Sequence, residues 1–208
     1  MQARRIAREL ALLSMSQMPT KPEQLDKQQL QNLLVSAVRT LTAEAQDTLE
    51  TASAELQRGS DRLLTSETRA ADLASARRMV QEAIELTQVA INRIGQAIDF
   101  PELIQLTNQT EVRTYALQLA QTTASNRTEI DTVLNESMVN WQLSRLPKVD
   151  RDILRIAVSE IMYLGTPAQV AIDEAVELAK RYSDDDGRRF INGVLRRVMD
   201  YLKTKAAK

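Results

Sequence analysis

The chain of 208 residues contains no cysteine and no histidine. Their absence removes the thiolate nucleophile, the imidazole base, the disulfide framework and every Cys or His metal site. Aromatic residues are scarce, with one Trp, four Tyr and two Phe, so few side chains are left for stacking. The five glycines stand at 59, 95, 165, 187 and 193, and none belongs to a GxGxxG or P-loop pattern that would cradle a phosphate. No apolar run approaches the roughly 20 residues of a bilayer-spanning helix, and no signal-type apolar segment opens the chain. We therefore expect a cytoplasmic protein without a membrane partner. Charge of one sign is also lacking: 27 basic residues face 28 acidic ones, for a net −1. A polyanion site must then be a local cluster and not a property of the whole-chain field. The composition leaves catalysis to carboxylates, Lys, Ser or Tyr with no Gly-rich loop to frame them, so no enzyme, cofactor or metal is expected.

What is present is a set of good helix formers, Ala, Leu, Gln, Glu and Arg, with sparse Gly and Pro between them. The chain reads as all-α. A first helix is predicted over 3–18, stopped by Pro19 and Pro22. From Leu25 to Gln57 a stripe of Leu34, Val38, Leu41, Ala45, Leu49, Ala52 and Leu56 marks a long helix. A turn is predicted at Arg58-Gly59-Ser60-Asp61. A second long helix is predicted from about 67 to 98, with Leu73, Val80, Ile84, Ile91, Ile94 and Ile98 as the seam it would press on a partner. Two such helices make an antiparallel hairpin. After Phe100-Pro101, shorter helices are predicted at 111–124, 127–141, 150–164, 168–182 and 187–205, the last three forming a bundle core. Residues 1–24 and 99–208 read as one body, and 25–98 as an inserted hairpin.

The first helix carries Arg4, Arg5 and Arg8. At about 100° per residue these fall within a narrow arc opposite Ile6, Leu10 and Leu13, a basic ridge facing away from an apolar stripe. Guanidinium groups grouped in this way suit phosphate, which Arg binds bidentately. A plainer reading is a solvated helix face.

The distal half is more distinctive. It reads LPKVDRDILRIAVSEIMYL from Leu146, PAQVAIDEAVELAKRY from Pro167 and DGRRFINGVL from Asp186. With Ala7-Arg8-Glu9 near the start, this resembles the NusB family of transcription antitermination factors. The likeness is dense over 145–198, in frame at the first helix, weaker over 102–144 and absent over 25–98. Ser16 stands where related sequences often carry a tyrosine.

The resemblance implies an all-α, NusB-like RNA-binding bundle carrying the long hairpin as an insertion. It also implies boxA-type RNA of ribosomal RNA leaders as ligand and ribosomal protein S10 as partner, within an RNA polymerase antitermination complex. Self-association stays open. By the same resemblance Arg4, Arg5 and Arg8 meet RNA, Phe190 lies on the same surface with Arg188 and Arg189 beside it, and Asp150 and Asp186 face S10. Each has a second reading: Phe190 as core packing, Asp150 and Asp186 as helix caps, Arg188 and Arg189 as balance for the preceding aspartates. The alternative function is a helical scaffold working through the hairpin, with a role in ribosome assembly. A methyltransferase carrying a NusB-like domain would need an α/β catalytic half for which no residues remain.

Overall fold

The computed structural model describes residues 2–19, 27–98, 100–139 and 141–206, and among them there is no strand. The helices are α1 (Gln2–Ser16), α2 (Lys27–Thr68), α3 (Leu73–Ala97), α4 (Phe100–Thr107), α5 (Thr110–Ser125), α6 (Arg127–Ser137), α7 (Lys148–Tyr163), α8 (Ala168–Tyr182) and α9 (Asp185–Ala206). A 3₁₀ turn at Leu143–Arg145 precedes α7. The all-helical expectation holds, and α8 falls where Pro167 and Tyr182 marked it. None of these helices is long and apolar enough to cross a membrane. The chain divides into two compact units, one of residues 1–38 and 106–208 and the other of residues 39–105.

In the first unit α7 is the axis, with α1, α5, α6, α8 and α9 packed around it. Residues 152–160 of α7 are all buried, Ile153, Leu154 and Val158 completely. This corrects the single apolar stripe expected from Ile153, Ala157, Ile161 and Leu164: a helix wrapped on every side has no polar face. Its charged residues must therefore find partners indoors. Arg155 does so with Asp131 at 2.8 Å and Asp152 at 2.9 Å. The chain leaves α7 at Gly165, whose φ of 65° lies where a Cβ is disfavoured. Leu195, Ile191 and Val198 of α9 complete the core with Ile172 and Ala179 of α8.

The second unit departs from the sequence reading in two places. Arg58-Gly59-Ser60-Asp61 is not a turn; α2 runs through it, and the chain reverses after Thr68, where Asp72 caps α3 by accepting the Ser75 N–H at 2.7 Å. Glycine inside a helix costs about 1 kcal/mol against alanine. Here it makes room, since a Cβ at Gly59 would lie 3.3 Å from the Ala83 carbonyl oxygen on α3.

The second departure concerns which stripe meets which. The helices touch through small residues, with Ala52, Gly59, Ala83, Ala90 and Ala97 buried. Glu55 and Arg93 pair across this seam at 3.0 Å, as do Arg62 and Glu82 at 3.1 Å, so the two helices run antiparallel. The expected seam of Leu73, Val80, Ile84, Ile91, Ile94 and Ile98 is exposed along its whole length. Alanine and glycine allow a backbone approach that isoleucine would prevent, and the larger residues are left outside.

Candidate nucleic-acid interface

On α1 the apolar side, Ile6, Ala7, Leu10 and Ala11, is sunk in the core, and Arg4 and Arg5 stand in solvent. The Arg4 guanidinium lies over the Tyr115 ring of α5, 4.7 Å from its centroid. Among the described residues no carboxylate pairs with Arg4. The ring fixes the cation by its quadrupole and leaves its donors open. Arg4 and Tyr115 also line a depression of about 440 Å³ with Thr114 and Gln118. Arg5 pairs with Glu177 of α8 at 2.7 Å, and Lys180 reaches the same carboxylate. Hydrogen bonds from Lys180 and Arg5 hold Glu177 below the usual carboxylate range.

Arg8 is a correction to the expected ridge. Its side chain is 4% exposed. Nε and Nη2 donate to the two oxygens of Glu160, both at 2.8 Å, and Nη1 lies 3.3 Å from Glu174. Burial alone would lower the Arg8 pKa, but the hydrogen bond and charge of Glu160 carry it above its ordinary value, so the guanidinium stays charged indoors. Tyr115 donates to Glu160 as well, and Thr166 Oγ1 does so at 3.3 Å. Desolvation and that bond push the Tyr115 phenol up. The result is a chain from solvent to core: Arg4 on Tyr115, Tyr115 on Glu160, Glu160 on Arg8. Arg8 holds the platform from within, its buried guanidinium turned to Glu160 and Glu174 and away from solvent.

The start of α9 gathers the other predicted residues. Asp184 is its cap, accepting the Gly187 N–H at 2.6 Å, a role the sequence reading had given to Asp186. Arg188 pairs with Asp185 at 3.1 Å, and Arg189 with Asp186. The plainer reading of these arginines, as balance for the aspartates, therefore describes their resting contacts. Asp186 itself is open to solvent, its side chain 88% exposed.

Asp150 differs from the expectation of a partner-facing acid: it is 4% exposed. It lies in the first turn of α7 against the first turn of α9, where a Cβ on Gly187 would come within 3.1 Å of its Oδ2. Two positive helix ends stabilise a carboxylate there. Gly187 provides the space, since its Cβ would also stand 2.2 Å from Ser183 Oγ. Gly187→Ala is expected to lower stability by about 1–3 kcal/mol through overpacking, in spite of alanine's better helix propensity, and thermal denaturation would read it.

Phe190 is partly buried against the core, as its packing reading expects, and its ring meets Trp141 in an edge-to-face contact at 5.8 Å and 68°. Trp141 is 54% exposed and Val139 61%. Trp141 was missed in the sequence, where its signal was rarity: the chain's one tryptophan in the short stretch between α6 and α7. Among the described residues no hydrogen bond, ion pair or ring contact joins Arg4 and Arg5 to Arg188, Arg189 and Phe190, which form two separate groups on the body. No cluster of acidic side chains among the described residues is arranged to hold a metal ion.

The class that these observations define is an all-helical bundle with exposed arginines on its first helix and an aromatic and acidic surface at the start of its last. The NusB family profile matches residues 74–200, beginning inside α3. The chain is 62% identical over 199 residues to the transcription antitermination protein NusB of Trichodesmium erythraeum, covering 96% of each. It is 61% identical over 201 residues to that of Microcystis aeruginosa, covering 97% of this chain and 93% of the relative. The chain belongs to the NusB family of transcription antitermination proteins. With coverage that high, the hairpin lies inside both matches. Among solved structures it is similar, at 24% identity and a TM-score of 0.45, to one titled "Crystal Structure of a Plectonemic RNA Supercoil", over 76% of this chain and 94% of that one.

Proposed function

We propose that this chain is a non-enzymatic RNA-binding antitermination factor, acting in the cytoplasm, that joins ribosomal protein S10 on the boxA element of nascent ribosomal RNA. Within the RNA polymerase antitermination complex it then favours processive transcription of ribosomal RNA operons. The body, residues 1–24 and 99–208, carries the RNA, and the hairpin of 25–98 is an insertion into it. The observation behind the reading is Arg4, exposed, stacked on Tyr115 and without a carboxylate partner among the described residues. Such a cation suits a phosphate, and Arg5 beside it adds a second once Glu177 yields.

Trp141 and Phe190 offer faces or edges to an unstacked base, the usual target of sequence-specific RNA readers. With so few aromatics, affinity from this chain alone is expected to be weak. A second protein bound to the same RNA raises it by linking two surfaces. Asp186 is the acid open to a basic partner.

The test is a fluorescence titration of boxA-bearing leader RNA and a scrambled control, with and without S10, at two salt concentrations. A preference for boxA that S10 strengthens is the expected result; equal binding of both RNAs with S10 present overturns the reading. Asp186→Lys is expected to weaken S10 binding about tenfold while binding of RNA alone and helix content stay unchanged. A second reading, a scaffold working through the hairpin in ribosome assembly, is favoured by the exposed apolar stripe of α3.

A further inference from the structure

The hairpin is asymmetric in a way that its own packing does not use. With Ala45, Ala52 and Gly59 of α2 and Ala83, Ala90 and Ala97 of α3 taken as one heptad position on the inner seam, the position four residues later is Leu49, Leu56 and Leu63 in α2. In α3 it is Val80, Thr87 and Ile94. In an antiparallel pair those positions border the same edge, so both sets look out from one side. The position one residue after the seam adds Ser53 and Ser60 from α2 and Ile84, Ile91 and Ile98 from α3 to that side.

None of these eleven residues is charged; the ion nearest to them in the same register is Arg77, one residue after Ala76 toward the tip of the hairpin. The leucines are 50%, 40% and 46% exposed, and Ile84, Ile91 and Ile98 are 46%, 59% and 69% exposed. The reverse edge carries Arg58 and Glu82, and the outward faces carry Asp47, Asp61 and Glu85. A hairpin kept soluble on both sides would distribute its charges. Loss of charge from one side alone is the composition of an interface centre.

We propose that this side is a dimer interface, occupied by the same side of a second copy of the chain, so that two hairpins close into an antiparallel four-helix bundle. Size fits. From Val80 to Ile98 the side is about 28 Å long at 1.5 Å per residue, and two helices abreast are about 19 Å wide. Such a face covers about 530 Å² per copy and about 1,060 Å² in total, just above the roughly 1,000 Å² that a specific interface clears. Charge fits as well: the stretch from Val80 to Ile98, which has no ions on this side, is matched by a partner stretch with none, and its own copy is one. The sevenfold spacing of leucines on one helix and of isoleucines on the other supplies regular knobs for a two-fold partner, the layered packing of four-helix bundles.

The experiment is sedimentation equilibrium of the full chain from about 1 to 100 μM. A reversible monomer–dimer equilibrium is expected. Leu56→Glu with Ile91→Glu should weaken it by about 100-fold or more, since each change buries a charge at the centre. The milder Leu56→Ser with Ile91→Ser should weaken it less but in the same direction. Both positions are exposed, so helix content by circular dichroism should match the parent, and Arg58→Glu on the reverse side should leave the dimer intact. A chain that stays monomeric throughout, or a dimer that neither double variant weakens, overturns the proposal and leaves the apolar side to another occupant.

Discussion

Arg8→Met is expected to destabilise the helical body by about 3–5 kcal/mol, because it strands the buried Glu160 carboxylate with only the Tyr115 and Thr166 hydroxyls as donors. For a domain of this size that is a fall of roughly 6–20 °C in thermal midpoint. The double change Arg8→Met with Glu160→Met should recover much of the loss, since exchanging a whole buried ion pair for apolar side chains is often nearly neutral. Thermal and urea unfolding of the two single variants and the double would measure this. Were Arg8 a phosphate ligand in solvent, the single variant would instead keep its stability and lose only RNA affinity.

Arg4→Glu with Arg5→Glu should give the opposite pattern. Arg5 pairs with Glu177 at a surface where its side chain is 52% exposed. Ion pairs of that kind contribute about 0–1 kcal/mol, so the midpoint should move little. Affinity for boxA RNA should fall by more than tenfold. The dependence of log K on log salt should flatten by about 1.4, from two contacts at about 0.7 each on single-stranded RNA. Three arginines on the ridge would have predicted about 2.1; removing Arg8 from it makes the difference measurable. An unchanged affinity and slope would take the first helix out of the RNA reading.

These two results separate residues that stand within four positions of each other and that the sequence presents alike. Helical geometry placed Arg4, Arg5 and Arg8 on one arc, which they do share. It could not tell that α7 and α8 close over the C-terminal part of that ridge and bring Glu160 and Glu174 to Arg8. The signal was there in weaker form, as a glutamate inside the otherwise apolar run of α7. Gly59 is a second case. Next to Arg, Ser and Asp it has the composition of a turn, and only the approach of Ala83 explains why a helix keeps it. The stripe of α3 is a third: its period marks an apolar face, but that face is exposed and is not the one that meets α2.

From the sequence alone came the helical class, the positions of α1 and α7–α9 within a few residues, membership in the family and the exclusion of thiol and imidazole chemistry. All of these depend on local propensity, periodicity or residue identity, which a single chain states directly. The tertiary structure alone decided which arginines face water, which aspartate is sealed between two helix ends, that Trp141 meets Phe190, and which side of the hairpin stays bare. Those properties belong to pairs of residues far apart in the chain, and the sequence contains the members of each pair without the distance between them.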